Sequence, residues 1–269
     1  MNNENKGHDM IKVAVTTSKE DTVLIEQAEQ IALELNIEYL SRRRRSIDTL
    51  RNEYDLDYLL IIESQQVILK GETTLAWHPC MAVPRIKFLR LGQKDPMIEA
   101  MGLKPDYTVL DCTLGLGADA LVASYFLGEA GSVIGLEASK YIAFLTKWGL
   151  NNFSGRNKHV ISALSRITVL NQNYLDYLPE QADNKFDVVY LDPMFECALK
   201  KSSGLNALRP LAFYGDVTCA VIKEAKRVAK RRVVMKQNIG STKANKLKPD
   251  FIGGGRYSPV TYYIWEKNE

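Results

Sequence analysis

Apolar and polar positions alternate from Ile11 in "IKVAVTT" (11–17), a β-branched run that predicts a strand. "SKEDTVLIEQAEQIALELN" (18–36) then places its apolar residues at helical spacing, with Ser18 as the expected N-cap. "IEYL" predicts a short strand, "SIDTLRNEY" a helix, and "YLLIIES" with "QQVILKG" a strand pair. Residues 1–75 are therefore expected to form a small α/β module. The period breaks at Pro79, Pro84 and Gly92, so 76–103 is expected to be a connecting segment closed by a short helix that starts at Pro96.

From 107 the pattern becomes strand, helix, strand. "YTVLDCT", "GSVIGLEAS", "ITVLNQN", "KFDVVYLD", "RRVVMKQ" and "TYYIWEK" predict strands. "ADALVASYFLG", "KYIAFLTKWGLNNF" and most of 206–230 predict helices. This rhythm implies a second domain over 104–269, a mostly parallel sheet with helices on both faces.

Composition changes this picture little: 46% hydrophobic and 25% charged residues are ordinary for a globular chain of 269. No stretch is long enough for a membrane helix, and the polar start "MNNENKGHDM" predicts no secretory leader. Cys80, Cys112, Cys197 and Cys219 form no C-x-x-C pair, and His8, His78 and His159 are scattered. A reducing, cytoplasmic setting without a metal site is expected. The net charge of +3 is uneven, because residues 200–269 hold 15 Lys and Arg against 5 Asp and Glu. A basic end on a near-neutral chain suits a polyanionic partner. The run Arg42–Arg45 fits either a phosphate contact or a solvated loop, and the second reading is favoured.

Candidate chemistry concentrates in two places. "VLDCTLGLGADA" (109–120) sets a glycine turn between a strand and a helix, where backbone can approach a nucleotide-like ligand. Glu137 stands twenty residues past Gly117, at the end of the next strand, where a carboxylate can accept from both ribose hydroxyls. Gly115-x-Gly117-x-x-Ala120 also satisfies a dinucleotide fingerprint, which keeps a nicotinamide oxidoreductase open. Asp111 favours S-adenosylmethionine, since its carboxylate suits an ammonium and would repel a pyrophosphate. Thr113, Gly115, Leu116, Gly117, Asp119, Glu137 and Ala138 complete the expected cofactor set, with Asn173 at the adenine edge and Asp192 beside the transferred methyl.

The second place is "DVVYLDPMFE" (187–196), an apolar strand ending in Asp192-Pro193-Met194-Phe195. This ending resembles the Asp/Asn-Pro-Pro-Tyr/Phe signature of amino-group N-methyltransferases. Asp192 and the Pro193 carbonyl can each accept one N–H of an amine, and Phe195 can stack on an extruded base. "DCTLGLGADA", "VVYLDPMF" and "RVVMKQ", with "PRIKFLRLGQKDPMIEAMGLK" before them, are similar to the bacterial small-subunit ribosomal RNA methyltransferase J family over roughly 84–265. The resemblance implies a Rossmann-like seven-stranded methyltransferase sheet, S-adenosyl-L-methionine as cofactor, and guanine N2 methylation of ribosomal RNA. The chain departs from the family at Ala118, where the family carries Arg, and at Glu196-Cys197-Ala198, which precede the basic pair Lys200-Lys201. Arg85, Lys87, Lys200, Lys201 and Lys236 are the expected substrate contacts. A non-catalytic RNA-binding module on the same fold is the remaining alternative.

Overall fold

The computed structural model of the chain describes residues 11–194, 208–254 and 259–267. In the N-terminal part, β1 (Val13–Thr17), α1 (Thr22–Leu35), β2 (Glu38–Tyr39), α2 (Ile47–Glu53), β3 (Tyr58–Ile62), β4 (Val67–Lys70) and β5 (Thr74–Ala76) follow in order. They form a five-stranded sheet ordered β2-β1-β3-β4-β5, parallel across β2, β1 and β3 and antiparallel beyond. Ser18 does not cap α1. Its N–H bonds to the Ile62 carbonyl, and Asp21 takes the cap because its carboxylate accepts from both Val23 and Leu24. Arg42 and Arg45 brace their own loop through the Ser18, Ser41, Arg42 and Arg45 carbonyls, while Arg43 and Arg44 are exposed.

The segment expected to be irregular holds more order than its prolines suggest. Besides β5 it contains α3 (Ala82–Arg90), with Pro84 in the first turn, where a missing N–H costs nothing. α4 (Pro96–Met101) follows, capped by the Asp95 carboxylate at one end and by left-handed Gly102 at the other.

The large sheet is built from β6 (Thr108–Asp111), α5 (Ala118–Leu127), β7 (Ser132–Leu136), α6 (Lys140–Asn152), α7 (Lys158–Leu164), β8 (Ile167–Leu170), α8 (Tyr174–Tyr177), β9 (Phe186–Leu191), α9 (Cys219–Val228), β10 (Ala229–Asn238), α10 (Lys243–Leu247), β11 (Phe251–Gly253) and β12 (Val260–Glu266). Its seven strands run in the order β11-β12-β10-β9-β6-β7-β8. Only β12 breaks the parallel run, pairing antiparallel with both β10 and β11. β11 was not legible in the sequence, and helix over 206–230 is confined, among the described residues, to Leu208, a short turn at Arg209–Leu211 and α9. No described helix is long and apolar enough to cross a membrane.

Alternate residues of the large sheet face two cores. Val109, Val188, Tyr190 and Val234 pack under α3, α4, α5 and α7, and Leu110, Val189, Leu191 and Met235 pack under α8 and α9. A third core joins the two sheets. Tyr141, Ile142, Phe144 and Leu145 of α6 bury against Val13, Val15, Leu60, Ile62 and Leu69 of the small sheet.

Trp77 follows β5 and lies against the only glycine of α6, Gly149, where a Cβ would stand 2.2–2.5 Å from the indole ring. Its Nε1 donates to the Leu116 carbonyl at 2.9 Å, so the ring ties the small sheet to the glycine turn. Gly149→Ala is expected to lower unfolding free energy by about 1–2 kcal/mol, because overpacking outweighs the gain in helix propensity. Urea denaturation of the two forms checks the sign.

Candidate active site

The C-terminal ends of β6, β7, β8 and β9 open onto one cleft, as expected where a parallel sheet reverses its winding. Cys112, Thr113 and Gly115 form one wall; Glu137 and Ala138 form the next. Gln172 follows β8, and Asp192, Pro193 and Met194 follow β9. Ile142 of α6 also reaches the lining, so the helix that seals the small sheet supports the cleft.

The glycine turn is held from several sides. Gly115 and Gly117 both have positive φ (54° and 74°), which side chains other than glycine adopt at a cost. A Cβ on Gly115 would meet nothing within 4 Å, so the turn leaves open space on its outer side. The Gly115 N–H donates to Glu137 Oε2 at 3.0 Å, and its carbonyl accepts from Thr146 Oγ1 at 2.7 Å. Glu137 Oε1 accepts from Ser139 N–H at 2.8 Å. Burial pushes the Glu137 carboxyl upward, against the pull of these backbone donors.

Asp192 is fixed through both backbone and side chain. Its N–H donates to Thr113 Oγ1 at 2.5 Å, which clips the β9 end to the glycine turn. Its Oδ2 takes the Lys236 ammonium at 2.8 Å, and its Oδ1 has no hydrogen bond from a described residue. The side chain is 27% exposed, enough to face the cleft. Burial pushes the carboxyl up to about 6; Lys236 opposes this and the Asp119 charge adds to it.

The structure gathers Thr113, Gly115, Glu137, Ala138, Asp192 and Pro193 into the lining as the sequence suggested. Other expected residues lie elsewhere. Asp111 ends β6 behind the wall, where burial pushes its carboxyl up to about 8 and its Oδ1 accepts from Thr113 N–H. Leu116 turns toward the core between the sheets, and Gly117 caps α5. Asn173 caps α8 by accepting from Leu175 N–H, and its neighbour Gln172 lines the cleft instead. Asp119 faces a second cavity of about 360 Å³, shared with Arg85, Lys236, Phe88 and Tyr262. Lys87 is exposed on α3 outside both cavities. Phe195, Lys200 and Lys201 lie outside the described residues.

Sequence reasoning missed the outer wall, formed by Tyr174, Leu208, Ala212, Phe213 and Gly215. Phe213 stacks edge-on against Tyr174 at 6.2 Å, and Gly215 leaves room for both. The dipeptide Tyr214-Gly215 after an aromatic was the available signal. Among the described residues no cluster of metal-ligating side chains occurs.

Comparison with known proteins accounts for this arrangement. Residues 57–258 match the family model described as "Putative SAM-dependent methyltransferase". YpiP of Bacillus subtilis, which carries no assigned function, is 36% identical over 215 residues, covering 80% of this chain and 84% of that one. The ribosomal RNA small subunit methyltransferase J of Coxiella burnetii is 28% identical over 253 residues, covering 89% and 92%. The crystal structure of the SAM-dependent methyltransferase NGO1261 from Neisseria gonorrhoeae superimposes with a TM-score of 0.63 at 17% identity, covering 94% and 95%, and shows the same fold.

These matches set aside both the nicotinamide alternative and the non-catalytic one. The cleft also fits S-adenosylmethionine on its own features: an open glycine cradle, a buried carboxylate at the end of β7, and a second carboxylate at the end of β9. The chain belongs to this family of S-adenosylmethionine-dependent methyltransferases, as a divergent relative of the ribosomal RNA small subunit methyltransferase J proteins.

Proposed function

We propose that the protein methylates an exocyclic amine of a nucleobase in RNA, with guanine N2 of small-subunit ribosomal RNA as the target. The observation that carries this reading is Asp192 itself. It is a carboxylate at the edge of the cleft with one oxygen held by Lys236 and the other free of described partners. Pro193 follows it in the wall and has a carbonyl but no N–H to offer.

S-adenosylmethionine supplies a cationic sulfonium methyl. The residues of the chain do the rest by position and charge. An aromatic amine is a weak nucleophile because its lone pair is delocalised into the ring. Asp192 Oδ1 and the Pro193 carbonyl accept its two hydrogens, which favours a pyramidal nitrogen with its lone pair toward the methyl. The Asp192 charge also offsets the positive charge that grows on nitrogen as the N–C bond forms and the sulfonium–methyl bond would break to leave a neutral thioether; the surplus amine proton can then pass through Asp192 Oδ1 to solvent.

Glu137 takes the ribose hydroxyls in this reading, since each of its oxygens has a lone pair left after accepting Gly115 or Ser139. Glu137→Gln is expected to raise the S-adenosylmethionine Kd by about 10- to 100-fold, the value of hydrogen bonds to a charged acceptor. Calorimetric titration measures it, with Lys87→Ala, exposed on α3 outside both cavities, as the control.

The names of the methyltransferase J relatives support a ribosomal RNA substrate. Basic residues also crowd the C-terminal quarter of the chain. The deciding experiment incubates the protein with tritiated cofactor and small-subunit ribosomal RNA, naked and assembled, and digests the RNA to nucleosides. N2-methylguanosine is the expected labelled product. Label in another nucleoside would overturn the guanine assignment, and label confined to protein or small molecules would overturn the RNA reading.

A further inference from the structure

Five charged side chains of alternating sign run from the second cavity to the cleft. Asp95 receives Arg85 through Nε and Nη2 at 2.7 and 2.8 Å. Arg85 also donates through Nη1 to Asp119 Oδ1. Asp119 Oδ2 accepts from Lys236 Nζ at 3.0 Å and from the Tyr190 hydroxyl at 2.8 Å. Lys236 then spans the 2.8 Å to Asp192 Oδ2. Lys236 stands on the same face of β10 as Val234, opposite Tyr262 of β12, and is 21% exposed.

We propose that Lys236 is a positioning residue for methyl transfer: clamped by Asp119, its ammonium holds one oxygen of Asp192 and leaves the other ionised for the amine. This rests on Asp192 being the amine acceptor.

The groups around Asp192 decide its charge. Asp111 of β6, Asp119 of α5 and Tyr190 of β9 face it without bringing positive charge; Lys236 of β10 and Arg85 of α3 are the cations in its field. Burial and the neighbouring carboxylates favour a protonated Asp192, and a protonated carboxyl on that oxygen donates where it must accept. Lys236 is the cation in direct contact. Burial disfavours its own charge, but Asp119 and Asp192 together hold it above the ordinary lysine range. Asp119 is likewise pulled below the carboxylate range, against burial, by Lys236 and Arg85. A buried ion string contributes little net stability relative to apolar packing, so its presence beside the reacting group suits a role in setting charge.

Two substitutions should move Asp192 in opposite directions. Lys236→Met removes the cation and should raise the Asp192 pKa by about 1–3 units. Asp119→Asn removes a like charge and should lower it. In that variant Arg85 keeps Asp95 and Lys236 keeps Asp192, so each cation retains a carboxylate if Lys236→Met fails to fold. Lys236→Arg should restore a titration close to wild type.

The measurement is ¹³C-carboxyl NMR of the full chain, with the Asp192 resonance identified by its loss in Asp192→Asn. Cofactor titration confirms an intact cleft in each variant. Rates on ribosomal RNA should follow: kcat of Lys236→Met falls at neutral pH and recovers as pH rises, with KM little changed. An Asp192 titration that stays put in both variants, or moves the same way in both, would overturn the proposal. Full methyl transfer by Asp192→Asn is a separate result, which would overturn the acceptor reading whatever the titrations show.

Discussion

Asp192→Asn is expected to lower kcat for methyl transfer by about 10²–10³-fold, the usual loss when one preorganised group facing developing charge is removed. The S-adenosylmethionine Kd should stay near wild type. The substitution is nearly isosteric, so Thr113 Oγ1 can still receive the backbone N–H and keep the β9 end docked on the glycine turn. On the proposed reading, what disappears is the negative charge opposite the amine, which matters only as nitrogen becomes positive. A fall in kcat with little change in binding is the signature of an interaction made in the transition state. Single-turnover kinetics with saturating cofactor reads it. In the wild type, the carboxyl pushed up to about 6 takes a proton as pH falls through that value. The rate should therefore be high above pH 6 and decline below it, and Asp192→Asn should lack that acidic limb. Wild-type rates from the asparagine variant would remove the carboxylate from the chemistry.

The parts of this site that are local in sequence were legible without coordinates. Gly115, Glu137 and Asp192 each sit just past the end of an apolar β-prone run, so strand periodicity places all three on one edge of a parallel sheet. Exchanging Asn173 for Gln172 at the third strand end shows the limit. A one-residue difference in where β8 stops decides which side chain faces the cleft, and apolar patterning does not fix strand ends that finely. Asp119 was misplaced for another reason. Its neighbourhood in sequence is the glycine turn, but at the start of α5 its carboxylate is drawn onto Tyr190 and Lys236, lining the second cavity rather than the cleft. The charge string could not be read from spacing at all, since Arg85, Asp119 and Lys236 come from three distant elements. Pro79 and Pro84 masked α3 because proline marks both a broken helix and a helix start.

Leu145→Ala is expected to lower unfolding free energy by about 3 kcal/mol, within the range for buried Leu to Ala, and Tm by about 6–12 °C. Leu145 is 1% exposed on α6, in the core shared with Val15, Leu60 and Leu69 of the small sheet. The sequence division at residue 75 suggests two independent units, yet this core has no second wall without the other unit. Truncating Leu145 therefore strips contacts from both sheets at once. We propose that the chain unfolds in one cooperative step, with the small sheet serving as the outer support of α6 and, through Ile142, of the cofactor cleft. The calorimetric trace of Leu145→Ala should show a single transition displaced to lower temperature, and cofactor should raise it by mass action. Two separate transitions, with the cofactor-sensitive one unmoved by the substitution, would show instead that the small module folds apart from the cleft. In a cooperative chain the small sheet cannot be deleted without exposing Tyr141, Phe144 and Leu145 together, an apolar face on the helix that lines the cleft through Ile142. Its presence is then a requirement of the active site's own packing.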